Sequence, residues 1–223
     1  MTAGPYFGHV KTVAILGSGQ VGDALAKGFF AMGYRVVRGT REPQKMAAWV
    51  QANGAAASAA TFADAAAAGD IVVLAVKGTA AEACIESCAA QLAGKTVLDA
   101  TNPIADAPPE QGVLRYFTTM NESLMERLQK LAPSANFVKA FSSVGNGLFV
   151  NPQFAAGKPT MFIAGNDAAA KAATTEILTA FGWETADMGP AVAARAIEPL
   201  CMLWCIPGFA KNQWHHAFKL LQA

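Results

Sequence analysis

The sequence predicts an α/β fold of the doubly wound class: a mostly parallel sheet with helices on both faces and a helical C-terminal extension. Three observations predict it. Short β-branched runs alternate with helical stretches along most of the chain. The recurring order of strand then helix implies parallel strands joined by right-handed crossovers. The runs are mostly apolar, as in V-K-T-V-A-I-L at 10–16, which suits strands buried on both faces. The 223 residues amount to roughly one and a half domains. We therefore expect a main domain over residues 10–189 and an extension over 190–223. Hydrophobic residues make up 53% and charged residues 15%, enough to bury a sizeable core and to exclude a disordered chain.

Residues 10–16, V-K-T-V-A-I-L, form the first predicted strand. A glycine turn leads into a helix over 20–32, which Gly33 ends as the residue past its cap. The second strand is 34–38. Pro43 suits the first turn of a helix that runs to residue 52 and stops near Gly54. The alanine-rich stretch 55–68 reads as partly helical rather than as a linker. Alanine is the best helix former, and Thr61 with Asp64 resembles a capping box. Residues 71–76 form the third strand. Thr79 and Glu82 make a second capping box, opening a helix that Gly94 closes. The fourth strand, 95–100, ends at Thr101-Asn102-Pro103, and Pro103, Pro108 and Pro109 mark an irregular loop to Gly112. Asn121 caps a helix whose Leu124, Met125, Leu128 and Leu131 share one face. Strands follow at 136–141 and 159–164, Asn166 caps a helix to Phe181, and a seventh strand covers 183–188. After Gly189-Pro190 the chain reads as helical to its end, broken near Pro199 and Pro207.

Composition excludes several function classes. Seventeen basic residues against 16 acidic give a net charge of +1, whereas a nucleic-acid binder shows a basic excess. The charge-free window 199–210 contains two prolines and a glycine and falls short of the roughly 20 apolar residues of a membrane span. Residues 1–9 have no apolar run ahead of a cleavage site, which argues against secretion. We expect a cytoplasmic protein. Cys84 and Cys88, like Cys201 and Cys205, are four residues apart within helix-like segments. No His or acid completes a zinc spacing around them, so no metal site is expected. His9, His215 and His216 lie away from the predicted strand ends.

The strongest motif is Gly17-Ser18-Gly19-Gln20-Val21-Gly22, which directly follows the first strand and opens the first helix. In that context G-x-G-x-x-G reads as a dinucleotide site. Gly17 permits the tight turn. Gly19 lets a pyrophosphate approach the backbone, and its turn is expected to need positive φ. Gly22 lets the helix lie close to the strand, and the free N–H groups of that helix face the phosphates. An NAD site carries Asp or Glu at the end of the second strand. Here that end reads R-G-T-R, with no acid until Glu42. Arg41 can clamp a 2′-phosphate in a bidentate fork, Thr40 can donate a hydroxyl, and Lys45 lies one turn further on. The expected cofactor is NADP. Other strand ends complete such a site: Ala75, Val76 and Lys77, then Thr101-Asn102-Pro103, then Phe141-Ser142-Ser143. Asn102 reads either as a partner of the carboxamide or substrate, or as a turn before proline. Lys77 reads either as an acid or cationic anchor, or as a surface lysine.

Taken together, G-S-G-Q-V-G-D-A-L-A, V-V-R-G-T-R-E, I-V-V-L-A-V-K, V-L-D-A-T-N-P, V-K-A-F, M-F-I-A-G-N-D and F-G-W-E resemble the NADPH-dependent coenzyme F-420 reductases, the deazaflavin-dependent NADP oxidoreductases. The cytosolic domain of the transmembrane metalloreductases of the prostate-antigen type belongs to the same broad group. The resemblance implies a Rossmann domain with a small helical extension, and an NADP site on Ser18, Gly19, Gln20 and Val21 with Thr40 and Arg41 on the 2′-phosphate. It also implies hydride passing between stacked rings without an acid–base side chain. No paired carboxylates or Ser-His-Asp set appear, so no catalytic residue is assigned. In the family, Asn tends to follow the Phe after the fifth strand, where this chain has Ser142-Ser143. The expectation is an NADP-dependent oxidoreductase acting on a deazaflavin, a flavin-like ring or a small organic substrate. Two other readings stand beside it: a pyrroline-carboxylate or hydroxyacid type of reductase, and a non-enzymatic NADPH sensor. The large apolar groups from Leu200 onward, among them Leu203, Trp204, Phe209, Trp214 and Phe218, read as a homodimer contact or pocket lid, or as packing on the sheet.

Overall fold

The computed structural model describes residues 11–221. His9, the rest of the N-terminal segment and the predicted strand start at residue 10 lie outside the described residues. Eight strands form one sheet in the order β3-β2-β1-β4-β5-β6-β7-β8. They are β1 (Thr12–Leu16), β2 (Arg35–Gly39), β3 (Ala57–Ala60), β4 (Ile71–Leu74), β5 (Thr96–Asp99), β6 (Asn136–Lys139), β7 (Thr160–Gly165) and β8 (Glu184–Asp187). The first six run parallel. β7 pairs antiparallel with β6, and β8 parallel with β7, so the sheet is mostly parallel as expected. The helices are α1 (Gln20–Ala31), α2 (Ala47–Asn53), α3 (Phe62–Ala68), α4 (Ala81–Glu86), α5 (Leu124–Leu131), α6 (Ala168–Ala180), α7 (Ala194–Ile197) and α8 (Pro199–Lys211).

Alternation along the strands splits the core into two layers. Val13 and Ile15 of β1 face the layer that holds Leu25 and Phe29 of α1 and Ile177 and Leu178 of α6. Ala14 and Leu16 face the other, with Ile85 of α4 and Leu124 and Leu128 of α5. Strand order reverses between β1 and β4. In an open α/β sheet the crevice at that switch point, beyond the strands' carboxyl ends, is where ligands bind.

Several element boundaries differ from expectation. β3 was not foreseen: A-S-A-A lacks β-branched residues, and it is a strand because its backbone pairs with β2 from Val36 to Gly39. Thr61 does cap α3, accepting from the Asp64 N–H at 3.2 Å. The Thr79–Glu82 box does not form. A Cβ on Gly78 would stand 1.9 Å from the Asn102 carbonyl oxygen. That close approach accompanies a 3-10 turn over Gly78–Ala80 and delays the helix to Ala81. α5 is capped by Ser123 in a full capping box with Glu126, while the Asn121 N–H donates to Thr119 in the preceding turn. Asp167 rather than Asn166 caps α6, and the Asn166 side chain instead accepts from the Ala191 N–H.

The C-terminal extension also departs from expectation. The expected break near Pro199 is there: α7 ends at Ile197 and Pro199 opens α8, where a first-turn proline loses no hydrogen bond, while the backbone of Glu198 between them stays helical. Pro207 sits inside α8, where its missing donor falls to the exposed Leu203. Residues 191–211 thus form a helical run long and apolar enough to cross a membrane by length and composition, with 33% of its 18-residue apolar window buried inside the fold. Asn212, in the left-handed conformation at φ 53°, ends α8. Beyond it the chain is not helical but returns to the sheet, where Phe218 accepts from the Thr160 N–H at 2.9 Å.

Candidate active site

The turn from β1 into α1 is built on three glycines with three different requirements. Gly17 has φ +136°, and a Cβ there would stand 2.4 Å from the Ala75 carbonyl oxygen at the end of β4. Gly19 is the N-cap of α1 with φ −88°, so the positive φ expected at Gly19 belongs to Gly17. A Cβ on Gly19 would meet nothing within 4 Å: its open side faces the crevice. Gly22 is buried, and a Cβ there would meet the Arg38 guanidinium at 2.5 Å and the Gly17 oxygen at 3.0 Å. No side chain caps α1. Its first N–H groups, with the helix dipole behind them, suit an anion that approaches over Gly19.

A cleft of about 490 Å³ opens over this turn. Of the residues singled out in the sequence, Gly17, Ser18, Gly19, Thr40, Arg41, Lys45, Ala75, Val76 and Lys77 line it. Gln20 is exposed on the first turn of α1, and Val21 and Gly22 lie behind the loop. Asn102 stands apart at the end of β5. Thr40 is buried and its hydroxyl accepts weakly from the Glu42 N–H at 3.4 Å. Arg41 is exposed and has no carboxylate partner among the described residues, whereas Lys45 is paired with Glu42 at 2.7 Å. Lys77, at the cleft's edge, is exposed and ion-paired with Asp106.

Sequence reasoning missed the cleft's apolar lining: Met46, Phe62, Ala80, Ala83 and Cys84. Phe62 follows β3, so the missed strand hid it. The Cys84 thiol is buried, and its hydrogen bond with Cys88 and that burial push its pKa up.

The ends of β5 and β6 lie outside this cleft's lining and hold a buried polar network. Thr101 donates through both its N–H and its hydroxyl to Asp99, at 2.9 and 2.6 Å. Lys139, fully buried, lies 2.6 Å from Asp99 and 2.9 Å from Glu198 and donates to the Thr101 carbonyl at 2.9 Å. Glu198 accepts from the N–H groups of Leu124 and Met125 at 2.9 and 3.0 Å, so the N-terminus of α5 offsets the second carboxylate. Burial alone would lower the Lys139 pKa, but Asp99 and Glu198 hold it above its usual value. This network fixes the turn that presents Asn102. The Asn102 amide donates to the Ser142 carbonyl at 3.3 Å, and the Asn102 Oδ1 and Ser142 Oγ atoms are buried without a partner. Phe141, between them and β6, holds φ +60°, a conformation rare for a bulky residue.

The chain as a whole is similar to known proteins. A family model described as NADP oxidoreductase, coenzyme F420-dependent, matches residues 12–103. The crystal structure of a candidate F420-dependent NADP-reductase from Arthrobacter sp. FB24 has TM-score 0.87 and 30% identity, covering 94% of this chain and 99% of that one. The chain belongs to the coenzyme F420-dependent NADP oxidoreductase family. Like the family, it is an NADP-dependent oxidoreductase. The metalloreductase STEAP3 of Rattus norvegicus is 30% identical over 200 residues, 87% of this chain. The chain spans 38% of that relative's length. An imine reductase from Aspergillus terreus, at 20% identity and TM-score 0.66 over 91% of this chain, shares the fold.

Proposed function

We propose that this oxidoreductase passes hydride between NADP(H) and a deazaflavin, or another flavin-like or small organic acceptor, at the ends of β4, β5 and β6. The observation that carries the reading is the pairing of an open glycine turn with an exposed Arg41 just past β2 that has no carboxylate partner among the described residues. In this reading Ser18, Gly19, Gln20 and Val21 meet the pyrophosphate, with Gly17 and Gly22 shaping the turn. Thr40, Arg41 and Lys45 meet the 2′-phosphate. Ala75, Val76 and Lys77 border the dinucleotide, and Asn102, beyond the end of β5, serves the carboxamide or the substrate.

When bound, the nicotinamide supplies the hydride. The chain's own part is binding, orientation and exclusion of water. The ionisable groups beneath Asn102 are Asp99, Lys139 and Glu198, and all three are buried and committed to one another. None is free to shuttle a proton, which favours an acceptor ring that takes hydride directly. Within the same reading the protein works in the cytoplasm as a homodimer.

The test is anaerobic oxidation of NADPH with a panel of deazaflavin, flavin, ferric and cyclic imine acceptors. Steady turnover with a deazaflavin or flavin is the expected result. Turnover with the imine alone would overturn the ring-to-ring reading, and tight NADPH binding with no turnover on any acceptor would overturn the proposed chemistry.

A further inference from the structure

Arg38 is the largest fully buried side chain of the fold, with 0% exposure. A buried guanidinium is costly unless every donor is engaged, and here the donors converge on the glycine turn from beneath. Nε donates to the Gly17 carbonyl at 2.8 Å, Nη2 to the Gly19 carbonyl at 3.2 Å, and Nη1 to Asp23 at 2.5 Å. The Trp49 ring covers it, with the guanidinium carbon 5.2 Å from the ring centroid. Burial lowers its pKa and Asp23 counters the shift; an arginine keeps its charge regardless. The absent side chain of Gly22 is the space the guanidinium occupies.

Two consequences follow for an anion above the turn. Carbonyls held inward leave the same peptide units' neighbouring N–H groups pointing to the crevice. Asp23, 45% exposed in the first turn of α1, is also neutralised where it would otherwise repel a phosphate.

We propose that Arg38 is a positioning residue of the phosphate site, acting through the Gly17 and Gly19 carbonyls and through Asp23. The inference rests on the reading of the glycine turn as that site. It assigns a division of labour: Arg38 serves the pyrophosphate common to NADPH and NADH, while Arg41 serves the 2′-phosphate that only NADPH carries.

The experiment measures dissociation constants for NADPH and NADH, at one ionic strength, on the full chain and on Arg38→Met, Arg38→Met/Asp23→Asn and Arg41→Ala. Circular dichroism establishes that each variant is folded. Arg38→Met is expected to weaken both nucleotides about tenfold, the scale of a charge-assisted contact, with their ratio unchanged. Adding Asp23→Asn restores part of the loss, which a merely structural arginine would not allow. If Arg38→Met is unfolded, Gly22→Ala displaces the guanidinium with its charge retained and is expected to give the same equal loss. Wild-type affinity for both nucleotides in a folded Arg38→Met or Gly22→Ala variant overturns the inference. In that case Arg41→Ala separates the two claims. A selective loss of NADPH leaves the cofactor site standing, and unchanged binding in every variant overturns the site as well.

Discussion

Arg38 and Arg41 lie three residues apart and have opposite surroundings. The first is sealed under the turn and the second stands in the cleft without a carboxylate partner among the described residues. Arg41→Ala should therefore weaken NADPH and leave NADH almost untouched. A charge-assisted hydrogen bond contributes about 1.5–3 kcal/mol, roughly ten- to a hundredfold in affinity. Lys45 does not readily make up the loss, since it is held by Glu42. The ratio of the two dissociation constants checks this, and an unchanged ratio would mean that Arg41 does not touch the 2′-phosphate. Both arginines are equally visible in R-G-T-R. What separates them is strand alternation: Arg38 points beneath the β1–α1 turn, whereas Arg41 lies beyond the strand. Gly22 has a part in this too: its missing side chain makes room for the Arg38 guanidinium between α1 and β2.

At the scale of elements, α5 carries the most explicit local instructions. Ser123 accepts from the Glu126 N–H at 3.2 Å, and Glu126 accepts in return from the Ser123 N–H at 2.9 Å. The signal S-L-M-E is in the sequence, and Asn121 two residues earlier competes with it as a cap. Arg195, just inside α7, then grips both Glu126 oxygens at 2.9 and 2.7 Å. The Arg195 guanidinium, with the Ser123 bonds, holds the Glu126 carboxyl at about 2 against burial. A carboxyl depressed in the folded state stabilises fully above its unfolded value near 4.3 and loses that contribution as pH falls toward its folded value. Urea midpoints should thus decline between about pH 5 and pH 2, with a shallower decline in Arg195→Met. Equal slopes for the two proteins would mean that the Arg195–Glu126 pair does not contribute to acid stability. β3 is the opposite case. Alanine has no strand signal of its own, and only the open edge of β2 makes A-S-A-A a strand.

At the scale of the whole molecule, the C-terminal segment is both packed and unfinished. Glu198 enters the buried network with Lys139 and Asp99, and Trp204 joins the core, with its far ring edge where a Gly145 side chain would be. Yet Val192, Leu203 and Phe209 are 46%, 53% and 45% exposed. The two readings of this segment are each met by different residues. Its inner side chains pack on the sheet, while its outer ones leave an apolar surface of the kind that marks an interface. A two-fold contact between copies would cover it. Light scattering at micromolar concentration should give twice the chain mass of 23.2 kDa, falling to one chain in Leu203→Asp/Phe209→Asp. A monomeric wild type would count against the homodimer.

By itself the sequence determined the order of the seven strands other than β3 and of the helices between them, the glycine turn at the first crossover, the absence of an acid at the end of β2, and the family. Each is a local property: hydrophobic period, backbone freedom, or the side-chain type at a strand end. Tertiary structure alone decided that A-S-A-A is a strand, that α8 runs through Pro207, and that Phe62 and Cys84 line the cleft. It also decided that Asp99, Lys139 and Glu198 form one buried network. These depend on which surfaces meet after the layers assemble. A charged residue reads the same in a sequence whether its partners are water or the carbonyls of a turn, and burial, which decides between them, exists only in the folded chain.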